Sequence, residues 1–399
     1  MIFYVLQARE AVLEAAANTG CEVYAVLGSQ ESELTCPKER AIYVNDPNDA
    51  VEVARLLMPL VEQNSAERHM CIGLGDRSSQ CAVLVNASLG LELGRLPTFN
   101  SLETMRNKLR MRQMLGAQSS LNGKFWEVQF PGTTTADLTA FLTQSPGGII
   151  LKPTDGAGSR DVHVLNSRAE IAKLDIDAGE YLVEQRFLGP EFSVEGISWN
   201  GVYQPLVITA KATGGETGLV EIGQKQPASI GGEAEEKLFK AAEEVLSVAG
   251  YDYGLSHVEF ILEAGQPRLV EAHGRVGGDH IADMMRWSVG GTAFEILFAT
   301  YENQSLWSGS SGRDVLNDAA VRFMDLRGWI GDDNCWLQQL NALPGVVEAK
   351  ILKPPEERGP INQSSDRHAY VLIAGTDTMA TISIVERMKD GYENPCSHS

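Results

Sequence analysis

Hydrophobic positions in the first hundred residues fall into short runs separated by amphipathic stretches. "MIFYVL" reads as a strand, followed by a helix through "AVLEAAANTG" that Gly20 can end in the left-handed conformation. "CEVYAVLG", "AIYVN" and "CIGLG" repeat the strand pattern, with helices across "DAVEVARLLMPLVEQ" and "CAVLVNASLGL". Strands alternating with helices predict a doubly wound parallel sheet. "LGRLPTFN" then connects to a helix over "SLETMRNKLRMRQML". After residue 147 the period shortens. "GGIILKP" with "DVHVLN", "YLVEQRF" with "EFSVEGISW", and "LSHVEFIL" with "PRLVEAH" read as glycine-turned hairpins of antiparallel sheet. One amphipathic helix interrupts them, with Leu238, Phe239, Ala242, Val245, Leu246 and Ala249 on its apolar face and Gly250 as its stop. From residue 306 the pattern is mixed, with strands such as "AYVLIAG".

Composition narrows the functional classes. Acidic residues outnumber basic ones 53 to 33, a formal net charge of -20, which argues against a phosphate-tracking nucleic-acid surface. It leaves room for a local basic pocket that takes a small anion. The six cysteines form no CxxC pair and are expected as reduced thiols in a cytoplasmic protein. "MIFYVLQARE" lacks a basic leader and reads as a first strand, and no apolar run approaches membrane-spanning length.

The chemistry concentrates in the last hairpin. If its strands pair symmetrically about Gly265 in "EAGQP", Glu259 lies opposite Glu271 and His257 opposite His273, all on one face. Facing carboxylates repel and call for a counter-charge. A divalent cation is the simplest one: Mg2+ suits oxygen ligands, and the histidines keep Mn2+ open. The alternative is a polar strand face neutralised by Lys or Arg from elsewhere.

Three further features carry charge or glycine. "IILKPTDGAGSRDVHVL" fits neither the Walker A pattern nor the dinucleotide fingerprint, because a strand follows its glycines. A strand–loop–strand with Gly156, Gly158 and Ser159 can instead cover phosphates, with Lys152 adding a positive charge. In "VEQRFLGPEFSVEG", Glu184 and Glu191 flank a Gly-Pro turn, and a carboxylate there suits a ribose diol. Arg106, Lys108, Arg110 and Arg112 form a basic run that a solvated helix face would also explain.

In this order, "NKLRMRQML", "ILKPTDGAGSRDV", "VEQRFLGPEFSVEG", "HVEFIL" and "LVEAHGRVGGDHI" resemble the ATP-grasp superfamily, and within it the carboxylate–amine ligases that join L-amino acids into dipeptides. The resemblance implies an α/β and α+β protein: an N-terminal doubly wound lobe (1–97), antiparallel ATP-binding lobes (98–305, with a flap at about 115–186) and a C-terminal mixed region (306–399). It implies ATP and Mg2+ as cofactors. Lys108 and Lys152 would hold phosphates, with Gly156, Gly158 and Ser159 in the flap. Glu184 would mark the adenine hinge, Glu191 the ribose, and Glu259, Glu271 and His273 the metal. Arg275, Gly277 and Gly278 would face the reacting phosphoryl and acyl groups. Glu221 and Gln224, in "EIGQKQPA", would meet the amino-acid substrate, and "KATGGETGLVEIGQKQPA" would act as a lid. Expected partners are small carboxylates and amines, with no nucleic acid and no membrane, and a homodimer is compatible. Rival readings are a carboxylase-type enzyme that activates bicarbonate and a non-catalytic ATP-binding protein.

Overall fold

The strand–helix alternation near the N-terminus does build a parallel sheet. The computed structural model describes residues 1–28, 38–92, 94–156, 158, 160–176, 178–309, 318–329 and 331–389. Strands β1 (Ile2–Leu6), β2 (Glu22–Gly28), β3 (Ala41–Val44) and β4 (His69–Gly73) pair in the order β3-β2-β1-β4. Helices α1 (Glu10–Thr19), α2 (Ala50–Gln63) and α3 (Asp76–Leu89) connect and cover them. Gly20 ends α1 at φ 73, donating its N–H to the Ala16 carbonyl. Helix α3 starts at Asp76, five residues before the stretch read as helical, and that extra turn carries Asp76 to the lobe boundary.

The single helix expected over "SLETMRNKLRMRQML" is two: α4 (Phe99–Arg106) and α5 (Lys108–Leu115). Asn107 breaks it, leaving the helical region and capping the Arg110 N–H with its side chain. The break frees the Lys108 N–H to bond the Thr154 carbonyl at 2.9 Å.

A four-stranded flap follows. It contains β5 (Phe125–Phe130), α6 (Thr135–Thr143), β6 (Ile149–Pro153), β7 (His163–Leu165), α7 (Arg168–Ile171) and β8 (Gly179–Gln185), in strand order β5-β8-β6-β7. Its core is a separate cluster around Val128, Leu138, Ile149, Leu151 and Val183. The expected hairpin of "YLVEQRF" with "EFSVEGISW" is not one. β8 stays in the flap, while β9 (Glu191–Trp199) enters the large sheet, so Gly189 and Pro190 form a crossing between sheets.

That large sheet has eight strands. β10 (Val202–Gly214), β11 (Val220–Gln226), β12 (Gly254–Glu263), β13 (Gln266–His273), β14 (Asp318–Met324), β15 (Val346–Ile351) and β16 (Ala369–Gly375) join β9 in the order β13-β12-β9-β10-β11-β14-β16-β15. Helix α8 (Gly232–Ala249) packs on it through Leu238, Ala242, Val245 and Leu246, with Phe239 only half-buried. Helices α9 (Ile281–Ser288), α10 (Ala293–Asn303), α11 (Asp333–Asn341) and α12 (Thr378–Lys389) are the remaining α-helices among the described residues. Most of the expected lid is sheet, because β10 and β11 pair up to Gly214 and Val220 and leave only a short turn between them. The region beyond 306 contributes β14, β15 and β16 to the same sheet. Cys21, Cys71 and Cys81 are free, but Cys335 is disulfide-bonded, so the reduced-thiol expectation does not hold for every cysteine.

Candidate active site

The β12–β13 hairpin pairs Glu259 with Glu271 and His257 with His273. It reaches that register by a different route from the symmetric turn. Ala264 and Gly265, at φ 48 and 77, form a two-residue turn that pairs Glu263 with Gln266. Val270 then drops out of the ladder as a bulge, and the shift brings the two glutamates level.

The counter-charges to these acids are lysines. Lys108 Nζ lies 2.9 Å from Glu271, and Lys211 Nζ is ion-paired with Glu259 and, at 2.5 Å, with Glu221. Glu191 is 3.7 Å from the same ammonium. Sequence reading missed Lys211, although register would have found it: on β10 it sits level with Glu191 on β9 and Gln224 on β11. Burial lowers the affinity of Lys211 for its proton, but Glu221, Glu259 and Glu191 outweigh it and raise the pKa well above that of a free lysine. Burial raises Glu191 to about 7 against the pull of Lys211, and raises Glu221 in the same way. Among the described residues, Glu191, Glu221 and Glu259 each place a ligand oxygen within 4.8 Å of the others. This hard-oxygen set suits a divalent cation, and it shares only Glu259 with the expected Glu259–Glu271–His273 set.

A buried polar chain backs the hairpin. His257 Nε2 lies 2.7 Å from Glu259, and Nδ1 lies 2.9 Å from Glu195, which also accepts from the Ser193 hydroxyl at 2.7 Å. Burial lowers the His257 pKa, but Glu195 and Glu259 overcome this and raise it to about 9. Glu195 was not singled out in the sequence. Its level pairing with His257 across β9–β12 is the signal that was available.

On the flap side, Glu184 is enclosed. It meets Lys152 Nζ at 2.5 Å and Arg112 Nε at 3.0 Å. Arg112 also donates to the Leu269 and Val270 carbonyls at 2.6 and 3.0 Å. The Glu184 carboxylate is therefore spent on two cations. Arg112, expected on a solvated face, is fully buried. Lys108 donates to the Gly156 carbonyl at 2.7 Å and Arg106 pairs with Asp155 at 2.8 Å, so the helix break is tied to the glycine loop. Ser159 lies outside the described residues.

The strand end after Glu271 is held from another lobe. His273 Nδ1 and Arg275 Nε lie 2.9 and 3.0 Å from the two oxygens of Asp76. Gly277 is not among the residues that line the cleft, and it is closely packed: a Cβ there would come within 2.8 Å of Ile281 Cγ2 and 2.9 Å of His257 Nδ1. Gly278 lines the cleft. Beyond it, Asp279 takes both ends of the Arg367 guanidinium, at 2.7 and 2.6 Å, and Arg367 lies 3.6 Å over the Phe323 ring.

Lys108, Lys152, Gly156, Gly158, Glu184, Glu191, Glu221, Gln224, Glu259, Glu271, His273, Arg275 and Gly278 all line one cleft of about 430 Å³. Gln224 is buried there with its side-chain oxygen unpartnered.

Flap, large sheet and cleft together define the ATP-grasp fold. Residues 145–283 match the family described as ATP-grasp domain, and the chain carries that domain. Across its whole length it is similar to the L-amino acid ligase from Bacillus licheniformis (TM-score 0.77, 19% identity, covering 98% of this chain and 96% of that one). It is also similar to the N5-carboxyaminoimidazole synthase from Aspergillus clavatus, solved with ADP and 5-aminoimidazole ribonucleotide (TM-score 0.69, 14% identity, 97% and 98% covered). Among curated proteins it matches "Uncharacterized protein y4rH" of Sinorhizobium fredii at 23% identity over 322 residues, 74% of this chain. The matched region spans 62% of that protein's length. No helix of the described residues is long and apolar enough to cross a membrane.

Proposed function

We propose that this protein is an ATP-dependent ligase that joins a carboxylate to an amine, with amino acids as the substrate class. The carrying observation is the convergence of Lys108, Lys152 and Arg275 with the facing acids Glu259 and Glu271 in one cleft. A substrate carboxylate attacks the γ-phosphoryl of ATP, giving an acyl-phosphate and ADP. An amine then attacks the acyl carbon and phosphate leaves. The first step needs positioning and charge neutralisation more than covalent help. Lys108 and Lys152 would meet phosphate oxygens, and Arg275 the charge that develops at the transferring group and at the acyl oxygen. Mg2+ held by Glu259 with Glu271 or with Glu191 and Glu221 would neutralise phosphate charge, and the oxygen-rich donor set fits it. Glu221 and the unpartnered oxygen of Gln224 suit a substrate ammonium, since both accept hydrogen bonds.

The test is incubation with ATP, Mg2+ and an amino-acid mixture, reading ADP, phosphate and product mass. A condensed product with one ADP per bond is expected. ADP release that needs bicarbonate and no amino acid would favour the carboxylase-type reading. Nucleotide binding without turnover would leave a binding protein.

A further inference from the structure

Asp76 belongs to the N-terminal parallel-sheet lobe, yet its side chain ends on the segment leaving β13. One oxygen accepts from His273 Nδ1 at 2.9 Å and the other from Arg275 Nε at 3.0 Å. Asp76 does not itself line the cleft, whereas both of its partners do. Arg275 is further fixed by donation from Nη1 to the Val276 carbonyl at 2.8 Å, and Nη2 has no hydrogen-bond partner among the described residues. Between the two partners, Gly274 is wedged so tightly that a Cβ would come within 2.4 Å of Leu102 Cδ2. The backbone is thus held by packing, and Asp76 ties both side chains to one carboxylate, while Glu271 meets the other His273 nitrogen at 3.0 Å. Helix α3 is anchored in turn, because Gln80 donates to Glu103 of α4 at 2.6 Å.

We propose that Asp76 is a positioning residue, which from the N-terminal lobe presets the His273 ring and the Arg275 guanidinium at the reacting end of the cleft. The role rests on the ligase reading for its effect on rate. Its geometric content, that Asp76 orders residues 273–280, does not depend on that reading. A carboxylate with one oxygen on each partner fixes their relative direction, which a single-acceptor side chain cannot do. Removing it leaves the ATP lysines untouched.

The experiment compares wild type with Asp76→Asn and Asp76→Ala. Misplacing a reacting group by about 1 Å costs up to roughly 100-fold, so kcat should fall roughly 10- to 100-fold. The KM for ATP should stay within about threefold, because Lys108 and Lys152 are unchanged. Amide hydrogen exchange across 273–280 should quicken in both variants while α1 and α8 keep wild-type protection. Wild-type kcat and wild-type exchange in both variants would overturn the proposal. So would an ATP KM that worsens in step with kcat alongside faster exchange throughout the lobe, the behaviour of a general packing residue. If the wild type turns over no ATP with any carboxylate, the ligase reading fails, and the exchange measurement alone decides for or against Asp76.

Discussion

Glu259 faces Glu271 because Val270, between Glu271 and the turn, is left out of the ladder. The bulge also frees a carbonyl. Val270 O accepts from Arg112 at 3.0 Å and from Lys152 at 3.5 Å. One irregular residue thus aligns the acids on one side and seats two cations on the other.

Removing either acid should abolish ATP turnover and also destabilise the metal-free protein. Each glutamate neutralises a buried lysine, so Glu259→Gln weakens the hold on Lys211 and Glu271→Gln that on Lys108. Each lysine keeps a second acceptor, so the loss is at least about 1–3 kcal/mol and below the cost of stripping a buried charge of every partner. Calorimetry in EDTA should show a lower melting temperature for both variants. An unchanged or higher one would mean that the glutamate pair is repulsive in the free protein.

Glu184→Gln should weaken nucleotide binding as strongly as Lys152→Ala does. Its carboxylate holds Lys152 at 2.5 Å and Arg112 at 3.0 Å, and breaking a buried pair from one side costs about 3–5 kcal/mol. Because the residues act as a unit, the double variant should lose little more than either single one. Titration calorimetry with a non-hydrolysable ATP analogue reads this, and fully additive losses would separate the two roles.

His257 makes stability depend on pH. Its pKa is about 9 in the folded protein against 6.5 for the free side chain, so the folded state holds the proton more tightly. The stabilisation is fully present below pH 6.5 and is lost as pH rises through 9, on the order of 3 kcal/mol in all. Urea unfolding in EDTA at pH 6 and pH 9.5 should show the drop, and His257→Gln should flatten it. An equal slope in the variant would assign the effect to other groups.

Glu221→Gln should raise the KM for the amino-acid substrate roughly ten- to a hundredfold, the loss of one charge-assisted hydrogen bond. ATP affinity without amino acid should barely change. Steady-state kinetics with each accepted amino acid provides the check, and an unchanged KM throughout would move the ammonium site away from β11.

The sequence carried the parallel lobe, the β6–β7 hairpin of the flap and the facing glutamates, because alternation and tight turns are local signals, whereas β5 was not read as a strand at all. What it hid were partners from distant segments. Lys211 looked like the first residue of a lid, and only the β9–β10–β11 register puts it among three acids. Asp76 sits 197 positions from His273, beyond any spacing argument. The false β8–β9 hairpin arose because a Gly-Pro pair reads alike whether the chain turns back or crosses between sheets.

β11 is an interior strand, with β10 on one side and β14 on the other, and Gln224 lies level with both Lys211 and Val321. Cutting the chain near residue 306 would therefore not release a tidy ATP-binding module. It would strip β11 of half its ladder and leave a raw sheet margin beside Glu221 and Gln224, open to adhesion between molecules. Grafts and chimaeras of this protein should carry β14 to β16 along with the flap and the rest of the large sheet, since the cleft wall that holds Glu221 and Gln224 is braced by strands from beyond residue 306.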